Sequence, residues 1–234
     1  MAEERVPTHI TGLDEFIEGG IPQGFVVLVM GEPGTMKSSL AYSVLHHNAV
    51  QGVNGLFVTL EQSRRSVLTQ MASLGMVYDE VEPHLSVLDL AILRKKMRLG
   101  KKSWMEVFKM YANNLKKSLD YQLLVIDSLT VLELLAAFKE PRIELFELFE
   151  WLRDLGVTTL LPVEMTQKGD PLALYGEDYL ADGIILLRME RVGDIHIQRR
   201  IRVVKLRATK HSTNYFTLLH QDSHFAVTKV ITEK

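Results

Sequence analysis

Short apolar runs alternate with amphipathic stretches between residues 25 and 163, which is the pattern of an α/β protein. The predicted strands are residues 25–30, 56–60, 85–90, 123–128 and 158–163. Four helices are predicted. Two of them begin near Lys37 and after Gln62, and the other two span residues 103–119 and 142–155. Strands that alternate with helices favour a parallel sheet with helices packed on its faces.

The pattern changes to β-hairpins towards the C-terminal end of the chain. The predicted hairpin strands are residues 184–189 with 195–206, and residues 215–219 with 225–231. Near the N-terminal end, residues 8–17 predict a short capped helix, and residues 19–24 predict a turn into the first strand. We therefore expect an α/β fold in which a mostly parallel central sheet, flanked by helices, is extended by antiparallel strands.

Composition narrows the class of protein but does not name its activity. The chain has 234 residues, of which 47% are hydrophobic, so we expect one domain over residues 1–234. A net charge of −2 predicts no general attraction to nucleic acid or to membranes. The absence of cysteine excludes disulfides and cysteine-ligated metals. With no apparent signal peptide and no apolar run long enough to span a membrane, we expect a cytoplasmic protein.

A glycine-containing segment joins the first predicted strand to the helix that begins near Lys37. This layout is typical of a P-loop, whose backbone N–H groups and helix N-terminus surround the phosphates of a nucleotide. Lys37 is expected to reach the β- and γ-phosphates, and the Ser38 hydroxyl to ligate Mg²⁺. The predicted nucleotide-binding residues are Gly31, Glu32, Pro33, Gly34, Thr35, Met36, Lys37, Ser38 and Ser39. The alternative is a strand–turn–helix packing unit with an incidental lysine.

One position departs from the P-loop pattern G-x-x-x-x-G-K-[ST]. Met36 stands where the pattern has its second glycine. Glycine at that point allows backbone torsions and a close approach that a side chain hinders. Because methionine is unbranched and flexible, its side chain has room to point away from the nucleotide.

Carboxylates follow three further predicted strands: Glu61, Asp127 and Glu164. Ligands of an open α/β sheet bind outside the carboxyl ends of the strands, so these groups and the P-loop could form one site. Asp127 has the position of a Walker B residue that holds Mg²⁺, or alternatively of a helix N-cap. Glu61 is the candidate general base for an attacking water, or alternatively caps the next helix. Glu164 is a candidate for sensing the γ-phosphate or organising water.

An ordered set of motifs resembles a known family. The motifs are residues 11–14 (TGLD), 19–24 (GGIPQG), 31–39 (GEPGTMKSS), 58–63 (VTLEQS), 124–128 (LVIDS), 181–185 (ADGII) and 204–207 (VKLR). Together they cover nearly the whole chain, which resembles a single KaiC-type domain of the RecA/RadA ATPase superfamily, of a kind common in archaea. The resemblance implies a RecA-like P-loop fold, and ATP with Mg²⁺ bound between subunits of a homo-oligomer, commonly a hexamer.

The resemblance also assigns a role to two basic residues. Lys205 and Arg207 match a Lys-x-Arg pair that in KaiC domains reaches the γ-phosphate bound by the next subunit. Being two residues apart on a predicted strand, they share one face. Two cations there would stabilise transition-state charge, as an arginine finger does. The alternative is a strand face whose basic residues point to water.

Three functions remain open from the sequence. The first is a Mg²⁺-dependent ATP hydrolase that works as a ring. The second is a nucleotide-gated regulator or scaffold that binds a protein partner and hydrolyses little ATP. Met36 and Gln62 favour this function. Gln62 replaces the second of two adjacent glutamates often found in the family, and glutamine cannot act as a base. The third is a RadA-paralogue role on single-stranded DNA, supported weakly by the basic run 94–102.

Overall fold

A computed structural model describes residues 4–90, 103–165 and 175–230 of the chain. The basic run 94–102 lies outside the described residues, so its contact with DNA stays a prediction. Within the described ranges, no helix has both the length and the apolar character that a membrane crossing requires.

The secondary structure follows the predicted order. The strands are β1 (Arg5–Val6), β2 (Ile21–Pro22), β3 (Val26–Gly31), β4 (Gly55–Thr59), β5 (Leu85–Asp89), β6 (Leu123–Asp127), β7 (Thr158–Glu164), β8 (Gly183–Val192), β9 (His196–Leu206), β10 (Phe216–Gln221) and β11 (His224–Lys229). The α-helices are α1 (Lys37–Val50), α2 (Arg64–Ser73), α3 (Trp104–Leu119), α4 (Leu129–Ala136), α5 (Pro141–Asp154) and α6 (Glu177–Leu180). Short 3-10 helices span Asp14–Ile17 and Tyr78–Glu80.

One large sheet organises the described part of the chain. Its strand order is β11-β10-β9-β8-β3-β7-β6-β4-β5. The strands from β8 to β5 run parallel, and β9, β10 and β11 extend the sheet by antiparallel pairing. The predicted fold class is therefore confirmed: a mostly parallel sheet, flanked by helices, carries antiparallel C-terminal strands.

The buried strand β3 shows how the sheet is held between two cores. Its six residues are all buried, and successive side chains point to opposite faces. Val27 and Val29 belong to the core that includes α1, whereas Val26 and Leu28 belong to the core that includes α5. Covering both faces removes the apolar side chains of β3 from water, which is the main stabilising term for such a strand.

The predicted helix over residues 8–17 is wrong for most of its length. Only Asp14–Ile17 is helical, and it is a 3-10 helix. The Asp14 carboxylate accepts hydrogen bonds from the backbone N–H groups of Thr8 (3.0 Å) and His9 (3.1 Å) and from the Thr8 hydroxyl (2.6 Å). A short acidic side chain that satisfies backbone donors in this way stabilises a turn in place of a helix.

Candidate functional site

The segment between β3 and α1 has the backbone path of a phosphate-binding loop. At Gly31, a Cβ atom would lie 2.7 Å from the Leu187 carbonyl oxygen and 2.7 Å from Thr35 Oγ1, so only glycine fits there without movement. The Thr35 hydroxyl donates to the Glu32 carbonyl (2.7 Å) and closes the loop. Helix α1 then begins at Lys37, and the first N–H groups of a helix have no partner within it. They are available to an anion at this end of the sheet.

Met36 adopts the backbone conformation that the missing glycine would supply. Its φ of 73° and ψ of 30° lie in the left-handed region, and it is the N-cap residue of α1. Its side chain is half-buried and packs against the core that includes α1. A left-handed conformation costs a residue with a Cβ atom about 1–2 kcal/mol. The loop therefore keeps the backbone conformation that glycine would allow, and Met36 adopts it at the cost of backbone strain.

This strain leads to a stability prediction for position 36. We expect Met36→Val to lower the free energy of unfolding by about 1–2 kcal/mol, because a β-branched side chain is much less tolerated at positive φ. Met36→Leu, which is unbranched at Cβ and similar in volume, is the matched control and should stay close to the wild type. Urea unfolding measures the difference, and equal stability of the Val and Leu variants would contradict the strained conformation.

The Lys37 ammonium group lies among carboxylates from the ends of several strands. Its Nζ donates to the Glu32 carbonyl oxygen (3.1 Å). Burial lowers the pKa of Lys37, and the negative charges of Glu164, Asp127, Glu61 and Glu32 act against that effect. The structure therefore brings together the predicted site residues that lie at or just after the carboxyl ends of β3, β4, β6 and β7.

Ser38 and Asp127 form the pair predicted to hold a metal ion. The Ser38 hydroxyl donates to Asp127 Oδ1 at 3.0 Å. Burial raises the pKa of Asp127 to about 6, although the Ser38 hydrogen bond partly opposes the rise. A hydroxyl oxygen and a carboxylate oxygen side by side are the donor types that Mg²⁺ takes next to nucleotide phosphates. The donor set therefore fits Mg²⁺.

Glu61 is held by a residue that the sequence did not single out. The Ser128 hydroxyl donates to Glu61 Oε1 at 2.8 Å and also accepts from the Val131 N–H as the N-cap of α4. Ser63, in turn, is the N-cap of α2. The alternative capping roles considered for Asp127 and Glu61 are therefore taken by Ser128 and Ser63. The position of Ser128, directly after the predicted Walker B residue Asp127, was the signal in the sequence that could have pointed to it.

Two further groups flank the loop. Glu164, exposed at the end of β7, pairs in register with Gly31 of β3 and so lies beside the loop. Arg199 of β9 donates from Nε to the Gly34 carbonyl oxygen (3.4 Å). The sequence did not indicate Arg199, because the residues of β9 themselves do not show that this strand passes beside the loop.

Lys205 is level with the middle of β3, and Arg207 is level with its N-terminal end, so both are set back along the strands from the loop of the same chain. In the strand register, Gly31 is level with Leu187, whereas Lys205 is level with Ile184 and the N–H of Arg207 donates to Asp182. At about 3.3 Å per residue, the strand positions of Lys205 and Arg207 lie about 10 Å and about 17 Å from that of Gly31. The fold therefore keeps this pair away from its own phosphate loop.

Both cations are held in place rather than left free in water. Lys205 Nζ donates to the carbonyl oxygens of Asp178 (3.0 Å) and Tyr179 (3.3 Å). Arg207 donates to Asp182 Oδ1 (2.8 Å) and to the Tyr179 carbonyl (3.2 Å). Burial and the neighbouring Arg207 lower the pKa of Lys205. The two side chains thus point in a defined direction at the C-terminal end of α6.

Comparison with known proteins identifies the family. A model of the KaiC-type ATPase domain matches residues 6–229. The chain belongs to the KaiC ATPase family. This KaiC domain is 33% identical over 227 residues to the circadian clock oscillator protein KaiC of Rippkaea orientalis, covering 88% of this chain and 40% of that protein. It is 28% identical over 228 residues to the KaiC2 protein of Synechocystis, covering 95% of this chain and 40% of that protein.

A solved structure gives the same result for the fold. A KaiC-like protein of the archaeon Pyrococcus horikoshii superposes on this KaiC domain with a TM-score of 0.82 at 30% identity, covering 97% of this chain and 99% of that one. The predicted resemblance and the RecA-like fold are therefore confirmed. The KaiC domain spans less than half the length of the curated relatives it matches, so the activities of those whole proteins are not assigned to it by similarity.

Proposed function

We propose that this chain binds ATP with Mg²⁺ and hydrolyses it as a ring oligomer whose sites lie between subunits. The observation that carries the proposal is the convergence of Lys37, Ser38, Asp127 and Glu61 at one edge of the sheet. A cation, a metal-binding oxygen pair and a carboxylate base are the parts that phosphoryl transfer to water requires.

Each group has a distinct role in the proposed reaction. Lys37 binds the β- and γ-phosphates, and Ser38 and Asp127 would hold Mg²⁺, which neutralises phosphate charge when bound. Glu61 orients the attacking water and accepts its proton. Ser128, which donates to Glu61 Oε1, keeps that carboxylate turned in one direction and leaves its other oxygen for the water.

The position of Lys205 and Arg207 supports an oligomer. They lie away from the loop of their own chain, yet their side chains are fixed by hydrogen bonds. A heterologous interface, repeated around a closed ring, would present the pair of one subunit to the nucleotide of the next. The family resemblance favours six subunits.

The direct test is Mg²⁺-dependent ATP binding and phosphate release, measured beside light scattering for mass. We expect Lys37→Ala to weaken ATP binding roughly 10- to 100-fold, because it removes a charged hydrogen-bond donor to phosphate. Chelating Mg²⁺ should abolish turnover. Lys117→Ala, a change of the same type at an exposed position of α3, is the matched control. Unchanged affinity in Lys37→Ala would remove that residue from the phosphate site.

A second candidate is a nucleotide-gated binding module with little turnover. The strained Met36 and the presence of Gln62 after Glu61 favour it, because Gln62 cannot act as a base. The same experiment separates the two candidates. Tight ATP binding without phosphate release would favour the binding module.

A further inference from the structure

A buried carboxyl group, that of Glu177, and a partly buried one, that of Glu133, lie close together between α4 and α6. Glu177, the first residue of α6, is only 2% exposed, and its Oε2 accepts from the Tyr175 N–H at 2.9 Å. Glu133 of α4 lies within hydrogen-bonding reach of the Glu177 carboxyl group. Within the described ranges, the buried Oε1 of Glu133 finds no hydrogen-bond donor.

One proton shared by the two carboxyl groups accounts for this arrangement. Two ionised carboxylates repel and cannot hydrogen-bond, whereas one protonated group donates to the other. Burial, the hydrogen bond with Glu177 and the charge of Glu177 raise the pKa of Glu133 to about 8. The pair therefore holds one proton at neutral pH and links α4 to α6.

The other end of α6 holds the two cations proposed to act across the interface. The carbonyl oxygens of Asp178 and Tyr179 accept from Lys205, and Tyr179 also accepts from Arg207. Asp182, just beyond α6, binds Arg207. A displacement of this short helix would therefore move the hydrogen-bond acceptors of both cations.

Helix α4 leads back to the hydrolytic site of the same chain. It begins directly after Ser128, its N-cap, whose hydroxyl holds Glu61. Glu133 lies within this helix, which has eight residues. A continuous set of contacts thus runs from Glu61 through α4, Glu133, Glu177 and α6 to Lys205 and Arg207.

We propose that Glu133 and Glu177 are positioning residues whose shared proton fixes α6 against α4 and so holds Lys205 and Arg207 in the geometry that acts on the neighbouring subunit's nucleotide. The inference rests on the proposed function, because it names what positions the pair that completes the site. The carboxyl pair would connect the hydrolytic site within a subunit to the two cations that this subunit supplies to its neighbour.

The sign of the pH effect follows from the shared proton. Below about pH 8 Glu133 keeps its proton; above that pH it ionises, and its charge is repelled by the negative charge of Glu177. Among the described residues, further charged groups bind at the C-terminal end of α6. Asp182 binds Arg153 and Arg207, Arg153 also donates to the Leu180 carbonyl, and Lys205 donates to the carbonyl oxygens of Asp178 and Tyr179. The charge that acts on Glu133 is that of Glu177, so ionisation of Glu133 should push α6 away from α4 and move the acceptors of both cations. We therefore expect turnover to fall above pH 8.

The test compares Glu133→Ala with Glu133→Gln. We expect Glu133→Ala to lower kcat roughly tenfold with the Kd for ATP unchanged, because displaced catalytic cations cost rate rather than nucleotide binding. Glu133→Gln should restore kcat and abolish its fall above pH 8, since the amide donates to Glu177 at every pH. Glu150→Gln, at an exposed position of α5, is the control and should match the wild type.

Two additional measurements separate this inference from the proposed function. In a background that lacks both cations, Lys205→Ala with Arg207→Ala, Glu133→Ala should cause little further loss of kcat, because the carboxyl pair acts through these two residues. Without nucleotide, the Ala181 N–H, which donates to the backbone carbonyl oxygen of Glu177, should lose protection from hydrogen exchange in Glu133→Ala and, in the wild type, above pH 8. Protection is the exchange rate relative to the intrinsic rate at the same pH.

Three outcomes would overturn the positioning role: no rescue by Glu133→Gln, a full additional loss in the background that lacks both Lys205 and Arg207, or unchanged protection from hydrogen exchange at α6. If the wild type shows no turnover, the proposed hydrolysis fails, and the exchange measurement alone decides whether the carboxyl pair holds α6.

Discussion

Replacing Glu61 with glutamine is expected to slow ATP hydrolysis by about 10²–10⁴-fold while leaving ATP binding nearly unchanged. The amide keeps the size of the side chain and can still accept from Ser128, but it cannot take a proton from water. Single-turnover phosphate release, measured beside ATP titration, separates the chemical step from binding.

The control for this experiment is the same isosteric change at an exposed glutamate. Glu82→Gln, in the loop before β5, should leave both rate and affinity unchanged. Equal rates for Glu61→Gln and the wild type would show that Glu61 is not the base. Glu164, which also lies beside the loop, would then be the next carboxylate to replace.

Removing Arg207 is expected to lower the rate of hydrolysis by about 10³-fold, and Lys205→Ala should act in the same direction. Cations that stabilise the charge on a transferring phosphoryl group contribute effects of this size. Because the strand positions of both residues lie about 10 Å or more from their own loop, the loss should arise at the neighbouring subunit's site. Lys117→Ala again controls for loss of a positive charge.

Mixing two inactive variants tests whether the pair acts across an interface. In rings assembled from Lys37→Ala and Arg207→Ala subunits, an Arg207→Ala subunit keeps its loop and a Lys37→Ala subunit keeps its arginine. Random mixing in equal amounts restores roughly a quarter of the interfaces, so activity should reappear. Recovery of no activity, with mixed rings verified by mass, would place the action of Arg207 within its own subunit.

The regular elements were predictable where the local pattern was distinct. Strands β3, β6 and β7 match their predicted ranges to within one residue at each end, because each is an apolar run bounded by turn or charged residues. Helix α4 was missed, since its residues are mostly apolar and show no polar face. Helix α6 has only four residues, too few for a helical period to be recognised.

The sequence by itself determined which of the candidate site residues meet at the carboxyl ends of the strands. Lys37, Ser38, Glu61 and Asp127 were predicted to meet because parallel strands bring their carboxyl ends to one edge. The tertiary structure places all four there. The local pattern was sufficient because each residue directly follows a recognisable strand or begins the helix after it.

Only the tertiary structure decided the contacts between residues far apart in the chain. Three such features depend on strand order and register: the hydrogen bond of Ser128 to Glu61, the distance of Lys205 and Arg207 from their own loop, and the pairing of Glu133 with Glu177. Strand order and register are set by packing of the two cores between segments far apart in the chain. The hydrophobic pattern of a single segment does not show which other segment it packs beside.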